Sequence, residues 1–525
     1  MSYDTYTIAL NVAEFPFVSE FFQRSITLPG LDVPPRVPKT DLGTFESKTP
    51  ELIQHFYAEN VMPTAEGLMS VGFRQIIPGI VGATDFDEAI TLRDVDENVF
   101  IYSPAMGKNY IYREDAGVWG SKNSFIAAPN TLVSRAFVNG RTFVGFQRQN
   151  VYEYDTAADT FLPVALTGIN VLDIDGISAS NNYLLAWSNI QISWSSLIDP
   201  TDFIASIFTG AGFATPQDVR GPIRNIVPIS GGFIAYTTRN AVAALYTNNA
   251  RAPWAFKEIS NTGGIIHPEE ISLEATLGFH YAFTNTGLQK ITANTSEPIS
   301  GAVTDFLAGM VFESFDFTTN TLTTQRLSAR LKVKIAYVSG RYLVISYSKS
   351  LPTFTHALVF DTVLKRWGKL KIDHVDCFTY PYPNIVGQIS ETPAKQSMAF
   401  LAKDGTVSLC ILDYRDFQDQ GVLLLGRFQL VRQKVATFQT LELENLLQAY
   451  APNVYLMISA DGKNNSAPAQ LSIISDSGNR KTYGAPAYSG SGAPLGRTGK
   501  NFCILITGTF ELSTSVISIT RHGNR

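Results

Sequence analysis

The sequence predicts a mainly β protein: a β-propeller body of six to eight blades, preceded by an extended N-terminal arm and followed by a small C-terminal β-domain. Three observations predict it. Charged residues are 17% of the 525 residues and aromatics 12%, with 39 Gly and 26 Pro, a balance that suits a chain of many turns and large covered surfaces. From about residue 97 one theme recurs: apolar strand, short polar turn, apolar strand. Two of these hairpins share a finer pattern, aromatic-Asp-Thr-x4-aromatic, at Tyr154-Asp155-Thr156 with Phe161 and at Phe360-Asp361-Thr362 with Trp367.

Residues 1–74 form the first division. The stretch 1–48 holds Pro16, Pro29, Pro34, Pro35 and Pro38 with little periodicity and reads as an arm lying on another surface. Its aromatics Phe15, Phe17, Phe21 and Phe22 are too few to bury a core by themselves, which marks them as candidate partner-binding residues. A short helix is expected next. Thr49 can cap it, Pro50 suits its first turn, Glu51 favours the positive end, and Leu52, Ile53, Phe56 and Tyr57 make one apolar face. A turn-rich run from Asn60 to Phe73 leads into the body.

Residues 75–420 carry the repeat. Its instances start at Glu97, Arg141, Asn182, Gly231, Phe279, Arg341 and Ser397, at intervals of 44, 41, 49, 48, 62 and 56 residues. Such a period fits a four-stranded propeller blade. In the aromatic-Asp-Thr pattern, Asp155 and Asp361 would accept turn amides while Phe161 and Trp367 pack between sheets, as in kelch-like propellers. The third instance continues into QISWSSLIDPTDF, where Ile192 and Trp194 point one way and Ser193 and Ser195 the other. Trp194 then ends a strand and packs on the next blade. Asp199 and Pro200 break the ladder, because proline lacks an N–H and restricts the residue before it. The longest interval holds a helical insert, with Val303, Phe306, Leu307 and Met310 on one face.

Residues 421–525 change character. Strand-like runs at 428–443 and 502–519 flank a Gly-, Ser-, Ala- and Pro-rich stretch, which suggests a separate small β-domain. That division holds ten Lys/Arg against five Asp/Glu, whereas the first 420 residues hold 31 against 41. A mildly acidic body with a mildly basic end lacks the dense basic face of a nucleic-acid grip.

Signals for catalysis are weak. Cys377, Cys410 and Cys503 are far apart and form no CxxC pair, which reads as buried reduced thiols. The six histidines (His55, His267, His280, His356, His374, His522) include no HExxH or H-x3-H pair, so no metal site is expected. Neither a G-x-S-x-G elbow nor a phosphate-binding G-x-x-x-x-G-K-[ST] loop occurs. His374 beside Asp373 and Asp376 reads as a solvated turn. The first residues, MSYDTYTIALNVAEFPF, lack a basic n-region, so no signal peptide is expected, and no apolar run is long enough to cross a bilayer. The alternative reading is a propeller-type carbohydrate-binding or glycosidase protein. Ser459-Ala-Asp461-Gly462 partly matches a sialidase-type turn, and Tyr380-Pro-Tyr382 would stack a sugar.

Several of these segments resemble one family, the tail nozzle (tail tubular or tail-hub) proteins of short-tailed bacteriophages, the podoviruses. The resemblance lies in Asn60-Val-Met-Pro-Thr-Ala-Glu-Gly67 followed by Gly72, and in Trp194-Ser-Ser-Leu-Ile-Asp199-Pro200-Thr-Asp-Phe203. It continues in Gly221-Pro-Ile-Arg-Asn-Ile-Val-Pro-Ile-Ser-Gly-Gly-Phe233 and in Gly496-Arg-Thr-Gly-Lys-Asn-Phe502 with Gly508-Thr-Phe510. It implies a non-enzymatic structural protein of the virion tail, made in the host cytoplasm, with no cofactor and no membrane insertion. The implied partners are further copies of the chain in a ring, most often a hexamer, together with tail adaptor and tail fibre proteins. Genomic DNA would pass through without sequence-specific binding, and an acidic lumen would not hold a moving duplex.

Overall fold

The computed structural model describes residues 4–9, 26–28, 51–52, 55–77, 90–93, 99–103, 108–113, 118–124, 132–272, 278–308, 311–316, 321–327, 330–349, 353–381, 396–410, 421–430, 436–459, 468–484, 498–499 and 501–521. Within them the chain is mainly β, and seven sheets follow one another as the blades of a propeller.

Blade 1 is Ile90–Arg93, Val99–Ser103, Lys108–Arg113 and Val118–Ser124, each strand antiparallel to the one before. Blade 2 is Val133–Val138, Arg141–Phe146, Val151–Asp155 and Thr160–Val164. Blade 3 is Gly176–Ser180, Tyr183–Ser188, Gln191–Trp194 and Gly212–Ala214. Blade 4 is Ile223–Ile229, Gly232–Thr237, Ala241–Tyr246 and Trp254–Glu258. Blade 5 has Phe279–Thr284, Gly287–Thr292 and Ser296–Pro298, with its first position held by a bridge from Ile271 to Ala282. Blade 6 is Lys332–Val338, Tyr342–Ser348, Phe354–Asp361 and Arg366–His374.

Blade 7 closes the ring. Asp376–Pro381, Gln396–Leu401 and Val407–Cys410 are completed by Phe73–Ile77, a strand from before blade 1. Cys410 pairs with Phe73, and the edge of Phe73 meets the ring of Phe400 5.8 Å away. Every one of the seven repeats read from the sequence corresponds to the second strand of a blade. These strands are covered on both faces, as in Gly232–Thr237, where all six residues are buried.

The first strands stand next to one another around the ring and are tied by polar contacts at each junction. The Arg135 guanidinium donates to the Thr91 carbonyl between blades 1 and 2. Ile177 N–H donates to Ser134 Oγ at 2.8 Å between blades 2 and 3, and Ser180 Oγ to the Gly232 carbonyl at 2.6 Å between blades 3 and 4. Asn225 Nδ2 reaches the Pro268 carbonyl at 3.1 Å. Lys334 Nζ then bridges Glu269 Oε1 at 3.1 Å and Asp376 Oδ1 at 2.9 Å, joining blades 5, 6 and 7. The circuit ends where Thr91 N–H donates to Asp376 Oδ2 at 2.9 Å. Burial opposes the charge on Lys334, but Asp376 and Glu269 outweigh it and raise its pKa.

The expected helical insert is present as α1, Gly301–Ala308, with Val303, Phe306 and Leu307 buried; Met310 lies outside the described residues. The hairpin Val311–Asp316 with Thr321–Arg326 follows it.

Two expectations for the chain ends are corrected. The described part of the expected short helix is not helical: Glu51–Leu52 and His55–Glu59 are strands, and the latter pairs antiparallel with Gly421–Leu430. Tyr57 and Ala58, adjacent in that strand, are both buried, so the strand is covered on two faces there. The arm and the C-terminal domain are also not separate. Asp4–Ala9 pairs with Glu511–Arg521, and Ile26–Leu28 pairs in parallel with Gly421–Leu430, so segments from both ends share two sheets. One of these sheets runs on through Leu68–Ser70 and Val61–Pro63 into blade 6, where Val61 pairs with Lys369.

Candidate functional site

The two aromatic-Asp-Thr hairpins superimpose residue for residue in their bonding. Asp155 Oδ1 accepts from Ala157 N–H at 2.9 Å and Ala158 N–H at 3.1 Å; Asp361 Oδ1 accepts from Val363 N–H at 2.9 Å and Leu364 N–H at 3.0 Å. In both turns the fourth residue after the aspartate, Asp159 or Lys365, has positive φ. Tyr154 pairs with Phe161 and Phe360 with Trp367 across the strands. Phe161 packs on Phe100 of blade 1 at 5.5 Å, and Trp367 on Phe360 at 4.7 Å. Phe161 thus joins blades 1 and 2, whereas Phe360 and Trp367 belong to one blade and face the core shared with the terminal sheets. Asp361 differs from Asp155 in being fully buried and receiving the Arg341 guanidinium.

The Asn60–Gly67 stretch builds the junction between blade 6 and the terminal sheets. Asn60 takes the left-handed conformation (φ 53), and its Oδ1 accepts from Lys371 N–H at 2.8 Å. Gly67 is required there, since a Cβ would stand 1.9 Å from the Leu512 carbonyl oxygen.

Trp194 is 7% exposed and lies in a core shared by blades 3 and 4 with Leu185, Phe233 and Trp254. Its indole N–H donates to the Gly210 carbonyl at 2.8 Å, and Gly212 passes beneath its ring. The connection it pins, residues 195–211, folds back on itself. Ser196 N–H donates to the Asp202 carbonyl at 2.7 Å, Leu197 N–H to Thr209 at 3.1 Å, and Ser206 N–H to Ala211 at 3.0 Å. Asp199 accepts from Thr201 N–H at 2.9 Å and lies 3.5 Å from the Arg141 guanidinium. The Thr201 amide foremost holds the Asp199 carboxyl below the usual aspartate range. Pro200 and Phe203 are buried, and Phe203 N–H donates to the Thr167 carbonyl of the preceding connection at 2.8 Å.

This stapled loop presents an unusual surface. Of the fourteen large hydrophobics exposed among the described residues, six fall between 197 and 213: Leu197, Ile198, Ile204, Ile207, Phe208 and Phe213. Ile198 is 81% exposed and Phe208 91%, so both are largely open to solvent. The sequence marked the pins of this loop, Trp194, Asp199, Pro200 and Phe203, but not its apolar load. Hydrophobic residues in a long chain read as core by default.

Other candidates resolve differently. His374 is not in a solvated turn; it is buried at the end of Arg366–His374, with Nε2 2.7 Å from Ser346 Oγ and Nδ1 2.8 Å from the Ile372 carbonyl. Burial holds its pKa down to about 4. Tyr380 is fully buried, so its ring offers no face to a sugar. The three cysteines are buried and form no disulfide, and burial pushes the Cys410 thiol up to about 12. Phe15, Phe17, Phe21, Phe22, Tyr382 and Asp461 lie outside the described residues. Among the described residues no three His, Cys, Asp or Glu side chains group as a metal site.

The fold assignment rests on the seven sheets and their closure. No family model and no curated protein matches the chain. Among solved structures, a chain from the crystal structure of the mitotic checkpoint complex aligns with a TM-score of 0.38 and 12% identity, over 72% of this chain and 100% of that one. The WD40 β-propeller domain of Doa1 aligns with a TM-score of 0.37 and 9% identity, over 66% of this chain and 100% of that one.

Proposed function

We propose that this protein is a structural subunit of a ring-shaped homo-oligomer of the tail-nozzle kind, held together by protein–protein contacts and without catalytic activity. The observation that carries the reading is the loop from Leu197 to Phe213. Its backbone is fixed by its own hydrogen bonds while six apolar side chains point outward. A rigid loop loses little entropy when a partner covers it, and an exposed apolar cluster of this density marks a contact surface. The loop also overlaps the Trp194–Phe203 stretch, one of those that carry the resemblance to podovirus nozzle proteins. In that reading the ring is a hexamer in the virion tail, contacts the adaptor and the fibres, and passes genomic DNA along its axis without reading its sequence.

The experiment is the mass and shape of the purified chain, by light scattering and negative-stain imaging. A closed ring is expected for the native protein. The double substitution Ile198→Asp with Phe208→Asp, at exposed positions, should give a folded species of lower mass. A native protein that remains a monomer at tens of micromolar overturns the reading.

A further inference from the structure

A second site lies on blades 2, 3 and 4, and it is independent of the ring reading. A half-open cavity of about 180 Å³ is lined by residues from five segments of the chain, among them Gln147, Arg148, Asp175, Trp187, Ile223 and Arg224. Asp175 is the acid of this group, and both its oxygens are engaged. Oδ1 accepts from Arg148 Nε at 3.0 Å and Gln147 Nε2 at 3.2 Å, and Oδ2 accepts from Asn189 N–H at 2.8 Å. Arg224 has no such acceptor: its Nε–H is buried and makes no hydrogen bond among the described residues. Buried polar hydrogens are satisfied in folded proteins with few exceptions, so this one calls for an acceptor. The lining therefore holds two guanidiniums against one carboxylate that is already shared.

We propose that this cavity binds a carboxylate group, paired with Arg224 and with the free edge of Arg148. Arg148 spends its Nε on Asp175, and its side chain is 67% exposed, so its terminal nitrogens remain accessible. A guanidinium fork matches the two oxygens of a carboxylate. Trp187 and Ile223, both buried, supply an apolar wall for the methylenes behind such a group. The volume suits one acidic side chain or a small dicarboxylate and excludes a nucleic-acid duplex.

The test is titration calorimetry on the full chain at low salt, with glutarate, an acetylated Glu-containing tripeptide amide, and inorganic phosphate as separate probes. Binding of glutarate, the peptide or both is expected, weakening as salt rises. Preference for the peptide identifies a protein segment as the source, and preference for glutarate a free metabolite. Arg224→Gln should weaken binding at least tenfold. Arg148→Gln, at an exposed position, gives a second variant that folds whatever Arg224 contributes to packing. Binding of phosphate alone, no binding of either carboxylate, or unchanged affinity in both variants overturns the proposal.

Discussion

His280 shows how one side chain can be read physically in this protein. Its Nε2 lies 2.8 Å from the Pro228 carbonyl and its Nδ1 3.2 Å from the Tyr236 hydroxyl, so a neutral ring that donates from Nε2 satisfies both neighbours while tying blade 5 to blade 4. Burial drives its pKa down to about 4, against the weaker upward pull of the Pro228 bond. His374 is held at about 4 for the same first reason. In the unfolded chain each returns to about 6.5. Between those values the unfolded state binds more protons, so the stabilisation is complete above about pH 6.5 and is lost as pH falls towards 4. The loss is on the order of 3 kcal/mol per histidine by pH 4. The melting temperature should therefore drop steeply between pH 6.5 and 4.5, and His280→Gln should flatten part of that slope. A melting temperature that holds constant over this range contradicts the assignment.

The aspartate turns belong to the scale of the element. The sequence pattern named Asp155, Phe161, Asp361 and Trp367, and the structure gives the two hairpins the same register and turn bonds. That much was legible because a turn and its cross-strand pair are local. The difference between them was not, because Arg341, which donates to Asp361 at 2.9 Å, comes from the turn before the neighbouring strand Tyr342–Ser348. Asp361→Ala should destabilise by on the order of 3 kcal/mol, since it removes a buried carboxylate that serves two amides and a guanidinium. Asp155→Ala, in an exposed turn, should cost about 1 kcal/mol. Urea denaturation of both variants checks the ranking; equal losses would mean that the arginine contact contributes nothing.

At the scale of the whole molecule, legibility divides along contact distance. The seven hairpins could be counted because each carries its own strands and turn. The closure by Phe73–Ile77, the docking of Asp4–Ala9 on Glu511–Arg521 and the strand at His55–Glu59 join distant segments, and such pairing leaves no periodic trace. The Arg224 cavity was invisible for the same reason, being assembled from five segments. The apolar loop was half legible: its pins stood out, its exposure did not. A truncation series separates the roles of the N-terminal segments. Deleting residues 1–48 removes Asp4–Ala9 and Ile26–Leu28 and should lower the stability of the terminal sheets while sparing the propeller. Deleting residues 1–77 also removes the strand that completes blade 7 and should unfold the propeller. Calorimetry distinguishes the two; an unaltered propeller transition in the longer deletion would show that the ring closes without its strand.

The long-range pairing also sets an order in time. Ile77 pairs with Val407, 330 positions later, and Asp4 with Ile519, 515 positions later. At ~5–20 residues per second of synthesis, roughly 15–65 s separate the first pair and roughly 25–100 s the second. Until then the early strands expose unpaired edges on the ribosome, where they are open to chaperones and to aggregation. A chain released before its last strand would lack the partner for its first one. Translation products cut short of residue 511 should therefore stay out of any assembly, a quality check written into the connectivity.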